Sequence, residues 1–283
     1  MVSLILGAAS SLSGDRRADR ALQFSARVTL VEVYATVTDA QGVVKGLTRE
    51  DFSVFEDGSP QSISAFSAGS IPLAVAIGID RSFSMSRERL AQAVAAAREF
   101  IRALKSDDRV MVIAIGSDAE VVAPLSADHT EALAALSRIE PWGTTPLYDS
   151  ALGAIEAIQS ASGRRALILL SDGDDRYSQA SATEVVEQAR RKDVLIYPIA
   201  IGRTRPPVFA ELASVTGGRS FFADKSTTMH DAMRMITQEL REQYLLGYSP
   251  SRPPDAPARW RSISVRVNRP GVRIRARDGY LSQ

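Results

Sequence analysis

The chain of 283 residues has no cysteine and two histidines. The first absence excludes disulfides, thiolate nucleophiles and cysteine-ligated zinc. His129 and His230 lie in polar stretches, so each reads as a capping or surface imidazole rather than a base or a ligand. Phosphate-cradling glycine loops are missing, since neither G-x-G-x-x-G nor G-x-x-x-x-G-K-[ST] occurs. No G-x-S-x-G nucleophile elbow is present. No helix-turn-helix, zinc-finger or aromatic RNA-reading motif is found either. Outside the first residues, no apolar run is long enough to span a bilayer.

What is there is ordinary for a core-forming protein: 45% hydrophobic and 24% charged residues, in a length that suits one large or two modest domains. The formal net charge of +1 is unevenly spread. From Arg241 onward nine arginines face three acids, about +6, which leaves about −5 for the remainder. A basic tail can attract nucleic acid, but Arg266, Arg273, Arg275 and Arg277 alternate with Val265, Val267, Val272 and Ile274. That period of two reads as half-buried strands whose edge is guarded by charge, so no nucleic-acid partner is expected.

Along the chain, residues 1–25 read as an incomplete secretory signal or a disordered tail: Met1 to Ser13 has a short apolar core and small residues but no basic start. Residues 26–70 read as β-structure, with a strand at 26–38 and a hairpin of 52–55 and 61–66 around Asp57-Gly58. Residues 71–245 alternate. Strands are expected at 72–79, 109–116, 165–171, 194–201 and 219–222, and helices at 86–105, 147–160, 182–192, 207–216 and 227–242. Such alternation implies right-handed crossovers and a mostly parallel sheet covered on both faces. Pro198 is an objection to a central strand at 194–201, because it removes a ladder donor. Residues 246–283 add strands at 260–268 and 272–276 that pack with 26–70, and Tyr244 to Tyr248 could close either sheet. The expected architecture is an α/β domain inserted between the halves of a small β-sandwich.

The chemistry concentrates where apolar strands end. Asp80, Ser82 and Ser84 follow Pro72 to Ile79 as D-x-S-x-S; Gly143-Thr144-Thr145 opens a helix containing Asp149; and Ala166 to Ser171 ends in Asp172-Gly-Asp174-Asp175. In an open parallel sheet, loops past the carboxyl ends of strands share one edge, so these segments can meet. Hydroxyl and carboxylate oxygens without nearby imidazole or thiolate select Mg²⁺, Mn²⁺ or Ca²⁺ over zinc. Neutral hydroxyls leave such an ion electrophilic, ready to accept a partner's Asp or Glu. The bland reading is that Ser84 or Ser86 caps the following helix and Asp172 caps a turn. Asp174 and Asp175 read as solvated loop acids, and Asp149 as an acid favoured by the helix dipole. Phe83 and Trp142 flank the loops as core plugs or rim contacts, and Trp260 and Tyr280 are expected to pack the small β domain.

These three motifs, in this order, resemble the von Willebrand factor type A domain with its metal-ion-dependent adhesion site. The resemblance covers roughly residues 71 to 245 and maps the site onto Asp80, Ser82, Ser84, Thr145 and Asp172. It implies a Rossmann-like fold, direct ligation by Ser82 and Ser84, Thr145 joining when ligand binds, and Asp80 and Asp172 acting largely through water. Thr144 departs from the pattern, standing where the family often has a second glycine, which would tighten or re-aim that loop. The flanks, Val37 to Gly58, Gln243 to Tyr248 and Arg275 to Tyr280, resemble the bacterial VWFA-related proteins of Acidobacteria. The implied function is a non-enzymatic, metal-dependent protein-binding module, secreted, periplasmic or at the cell surface. Two alternatives remain: a structural envelope or assembly subunit with a vestigial site, and a phosphohydrolase with an Asp nucleophile. The second is disfavoured because Ser82 fills the slot of that chemistry's second acid.

Overall fold

The computed structural model describes residues 30–69, 71–202, 204–252 and 257–282. The expected tail at 1–25, the start of the first strand and most of the proline-rich connector lie outside them. The chain opens with β1 (Val31–Asp39), β2 (Gly42–Val43), β3 (Phe52–Glu56), β4 (Ser59–Gln61) and β5 (Ile63–Ala68). It then alternates through β6 (Leu73–Asp80), α1 (Arg87–Arg102), β7 (Arg109–Ile115), β8 (Ala119–Ser126), α2 (His129–Leu136) and α3 (Leu147–Gln159). There follow β9 (Arg164–Ser171), α4 (Ala182–Arg191), β10 (Leu195–Ile201), α5 (Pro207–Thr216), β11 (Phe221–Ala223) and α6 (Ser226–Arg241). The end is all strand: β12 (Tyr244–Tyr248), β13 (Trp260–Val267), β14 (Arg273–Arg275) and β15 (Gly279–Leu281).

The central sheet has the order β11-β10-β9-β6-β7-β8, parallel throughout except for the antiparallel edge pair β7–β8. Every residue of β6 is buried, as helices on both faces require, which is why the strand reads as an unbroken apolar run. In α1, buried Leu90, Ala93, Ala97 and Phe100 recur at helical spacing and face the sheet. Neither β8 nor α2 was expected. The first is an edge strand with an exposed Val121, an internal Pro124 and a shifted register, so its alternation is faint; the second has only eight residues, three of them alanine, so its apolar stripe is weakly marked.

Pro198 is accommodated by position. The backbone N–H of Ile196, which points to the same side of β10 as Pro198, leaves the ladder and donates to Thr216 Oγ1 at 3.1 Å. On that side β11 begins only opposite Ile199, so the missing donor has no ladder partner to lose.

Two antiparallel sheets, β14-β1-β12-β5 (with β2 on β1) and β15-β13-β3-β4, form the smaller unit. They share one core that includes Val33, Phe52, Val54, Leu246 and Ile263. Residues 244–248 pair with β1 and β5 and so belong to this unit rather than to the parallel sheet. The hairpin at Asp57-Gly58 forms, with φ of +46° and +77° at its two corner residues. Its second arm is shorter than expected, because the chain crosses after Gln61 and β5 pairs in the other sheet.

Two arginines of the basic C-terminal segment reach across the joint between the two units. Arg275 lies 2.7 Å from the buried Glu239 of α6, and Arg277 2.9 Å from Asp193. Arg261, itself buried, meets buried Glu56 at 3.0 Å. Arg164 sits in the same joint and donates to Ile71 O at 2.6 Å and to Gln243 Oε1 at 3.2 Å. Burial pulls its pKa down to about 10. Arg164, Arg275 and Arg277 thus brace two domains, Arg261 stays inside the sandwich, and Arg266 and Arg273 remain exposed, the latter on the edge strand β14 where a charged guard was expected.

Candidate metal centre

Asp80 ends β6 and is completely buried. Its Oδ1 accepts the Ser82 backbone N–H at 2.9 Å, and its Oδ2 accepts the Ser171 hydroxyl at 2.6 Å from the neighbouring strand β9. Burial raises its pKa, and the nearby Asp172 carboxylate adds to the rise against the lowering effect of the serine hydrogen bonds. Two acids crowd one another at this edge, which a cation would relieve.

The capping alternative is settled by the helix itself. Ser86, not Ser84, is the N-cap of α1, accepting the Arg89 N–H at 3.2 Å. Ser84 is therefore free of that task, and its Oγ stands 3.0 Å from Ser82 Oγ. Neighbouring donors on an octahedral ion with bonds of about 2.0–2.1 Å are roughly 2.9 Å apart, so this pair has the spacing of adjacent ligands. Asp172 does make a turn, accepting the Asp174 N–H at 3.1 Å through Oδ1.

Thr145 is buried at the start of α3. Backbone bonds stitch its loop to the other two: Trp142 N–H to Arg81 O at 2.7 Å, Phe83 N–H to Gly143 O at 3.1 Å, and Arg176 N–H to Thr145 O at 2.6 Å. All three predicted segments thus meet at one edge of the sheet. Thr144 is exposed, and the loop needs its one left-handed residue at Gly143, with φ +83°. Threonine in the place of a second glycine is tolerated because it faces solvent. A Cβ on Gly143 would stand 2.7 Å from the Ser117 backbone nitrogen. Gly143→Ala is expected to cost about 1–2 kcal/mol of stability from the φ alone. It should also weaken divalent binding by re-aiming Thr145; thermal unfolding and Mg²⁺ titration check the two effects.

Several supporting residues carried no recognisable signal. Ser171 reads as one more strand residue, yet it fixes Asp80. Asp175 is no solvated acid: its Oδ1 accepts the Tyr148 N–H at 3.3 Å, serving as a remote cap for α3 with Ser178. Asp149 in turn accepts the backbone N–H groups of Gln179 and Ala180, both at 2.9 Å, and so pins the loop that carries Asp172. Asp174 remains exposed and pairs with Arg176. His129 contacts Asp108 O and His230 contacts Glu99, away from these loops. Among the described residues no group of three or more His, Asp or Glu side chains could hold a metal. The converging loops carry two carboxylates and three hydroxyls, a set of donor types suited to a hard ion with water in its shell.

A doubly covered parallel sheet with hydroxyl and carboxylate loops at its carboxyl edge defines an α/β binding domain of the Rossmann-like class. Residues 75–174 match the family model of the von Willebrand factor type A domain, and the α/β unit is a domain of that family. Domains of this family generally mediate protein–protein interaction. Among solved structures, the von Willebrand factor type A protein from Catenulispora acidiphila is 15% identical, over 89% of this chain and 73% of that one, with a TM-score of 0.55. Proximal thread matrix protein 1 from the mussel byssus is 15% identical over 66% of this chain and 51% of that one, TM-score 0.54. The PilB minor pilin of Streptococcus sanguinis is 13% identical over 61% and 62%, TM-score 0.50. At these identities the likeness is one of fold. No curated protein sequence matches the chain.

Proposed function

We propose that the chain is a non-enzymatic, metal-dependent protein-binding module that takes up an Asp or Glu side chain of a partner. The observation that carries this reading is the pairing of Ser82 and Ser84 hydroxyls at 3.0 Å over a buried Asp80, with helix capping left to Ser86. A bound Mg²⁺, Mn²⁺ or Ca²⁺ would supply an electrophilic position for an incoming carboxylate. Ser82 and Ser84 are the direct donors, and Thr145 is held at the same edge. Asp80, with both oxygens already engaged, and Asp172 balance charge and orient water. The neutral hydroxyls matter, because anionic donors in their place would satisfy the ion before a partner arrived.

Since one neighbour is a minor pilin and another a thread matrix protein, we place the chain outside the cytoplasm, secreted, periplasmic or at the cell surface. No helix among the described residues is long and apolar enough to cross a membrane. The experiment is capture of partners from native lysate in Mg²⁺, repeated with chelator and with Asp172→Ala. Capture that both changes abolish is expected. Capture indifferent to chelator would assign a structural subunit with a vestigial site, and phosphoester turnover lost in Asp80→Asn would assign an enzyme.

A further inference from the structure

Five large hydrophobic side chains are exposed among the described residues, and three of them are aromatics on the metal-site loops: Phe83 at 73%, Trp142 at 48% and Tyr177 at 81%. Each sits within one residue of a bond that ties those loops together. The Phe83 N–H binds Gly143 O between the two site serines, Trp142 N–H binds Arg81 O, and Tyr177 follows Arg176, whose N–H binds Thr145 O. A bulky residue rarely adopts positive φ, yet Tyr177 has φ +69°. Such strain gathers at binding sites, where the surrounding structure over-determines it.

The charges beside the rings are already matched within the chain. Arg81 pairs with Glu120 at 2.7 Å while its guanidinium lies over the Trp142 ring, and Arg176 pairs with Asp174 at 2.8 Å. The rim therefore offers apolar faces around the site and little net charge. Beside Trp142 a groove of 410 Å³ continues the surface between α1 and α2, its lining mixing apolar Val94, Ile139 and Pro141 with charged Arg87, Arg98 and Glu140.

We infer that Phe83, Trp142 and Tyr177 select a protein partner whose acidic residue is flanked by apolar side chains. This rests on the metal-dependent reading above and adds to it the chemistry of the partner. Exposed aromatic clusters on a soluble surface mark interaction sites, and rigid Tyr and Trp rings are the commonest anchors of protein interfaces. Packed around a carboxylate, they exclude water and strengthen its bond to the ion.

The test uses the full chain and three synthetic peptides of equal length: one Asp flanked by Leu and Pro, one Asp flanked by Ser, and one Asn flanked by Leu and Pro. In Mg²⁺ the apolar-flanked Asp peptide is expected to bind about tenfold or more tighter than the Ser-flanked one. That preference should vanish in Phe83→Ser/Trp142→Ser/Tyr177→Asn, with Mg²⁺ affinity retained. Tyr177→Asn alone should weaken peptide binding while holding or raising the unfolding midpoint, since Asn tolerates left-handed backbone; a merely structural tyrosine would lower it. Equal binding of the two Asp peptides, no binding of either at millimolar concentration, or a preference that survives the triple variant overturns the inference. So does a Mg²⁺-dependent dimer of this chain that the triple variant abolishes, or displacement of peptide by a soluble uronic-acid polymer. Failure of the metal reading looks different: Asp and Asn peptides would bind alike, with or without chelator.

Discussion

Replacing Ser82 and Ser84 together by alanine is expected to abolish divalent-cation binding and leave the fold in place. The two hydroxyls stand 3.0 Å apart, as adjacent ligands would. Removing groups that only orient a ligand commonly costs 10–100-fold in metal affinity, so deleting two direct donors should cost more than about 100-fold. Stability should fall only modestly, by about 1 kcal/mol, because Ser82 is buried and its hydroxyl gives up its bonds to Ser84 and Asp80 while the apolar core keeps its packing. The Ser82 backbone N–H keeps its bond to Asp80, Ser86 keeps the cap of α1, and the sheet beneath is packed by Ile77, Ile79 and Met85. Calorimetric titration with Mg²⁺ and thermal unfolding read the two halves separately. Unchanged affinity would sink the assignment of direct ligation to this pair, whereas lost affinity accompanied by a large drop in stability would make the serines structural. Asp80→Asn provides the contrast: it also removes binding, yet it relieves a buried acid crowded by Asp172, so the apoprotein should become no less stable.

Much of this was legible in the sequence, for a physical reason. A parallel strand covered on both faces has to be apolar at every position, so β6 and β9 announce themselves, and ligands must then lie just past their ends. Position singles out the loops after β6 and β9 and the turn before α3, the resemblance to the von Willebrand factor type A family picks Asp80, Ser82, Ser84, Thr145 and Asp172 within them, and these loops do converge. The edge strand β8 was not legible, since an edge with one solvated side, a proline and a broken register has no clean period. The destination of β12 was open for a related reason: Tyr244 to Tyr248 is apolar enough for either sheet, and only pairing with β1 and β5 decides it. Ser171 and Asp175 were unread or misread, and Asp149 was read only as the first-turn acid of α3 that it is, because their further roles depend on contacts to residues about 30 or more positions away. Nothing in a sequence window encodes such a contact. Tyr177 is a further instance, because both its exposure and its left-handed backbone are properties of the folded loop.

The largest loss of stability is expected from Arg261→Leu. Arg261 and Glu56 are both buried in the β-sandwich and meet at 3.0 Å. Arg261 also reaches Arg252 O at 3.2 Å, and the other carboxylate oxygen of Glu56 accepts the hydroxyls of Tyr248 and Tyr280, each at 2.8 Å. Burial, reinforced by Glu56, raises the pKa of both tyrosines, so they remain protonated donors. Removing the cation alone strands a buried carboxylate, which typically costs about 3–5 kcal/mol. For a chain of this size that is a fall of roughly 6–20 °C in the unfolding midpoint. Replacing both charges by leucine often restores stability at a buried pair, but here it would orphan two tyrosine hydroxyls at about 1–3 kcal/mol each. The double variant should therefore recover only part of the loss, and adding Tyr248→Phe and Tyr280→Phe should recover more. Full recovery by the leucine pair alone would mean the tyrosines find other partners. Because Arg275 and Arg277 tie the sandwich to Glu239 and Asp193 of the α/β domain, the lowered transition should remain single. A split into two transitions, with Mg²⁺ affinity intact through the first, would show instead that the joint is weaker than its ion pairs imply.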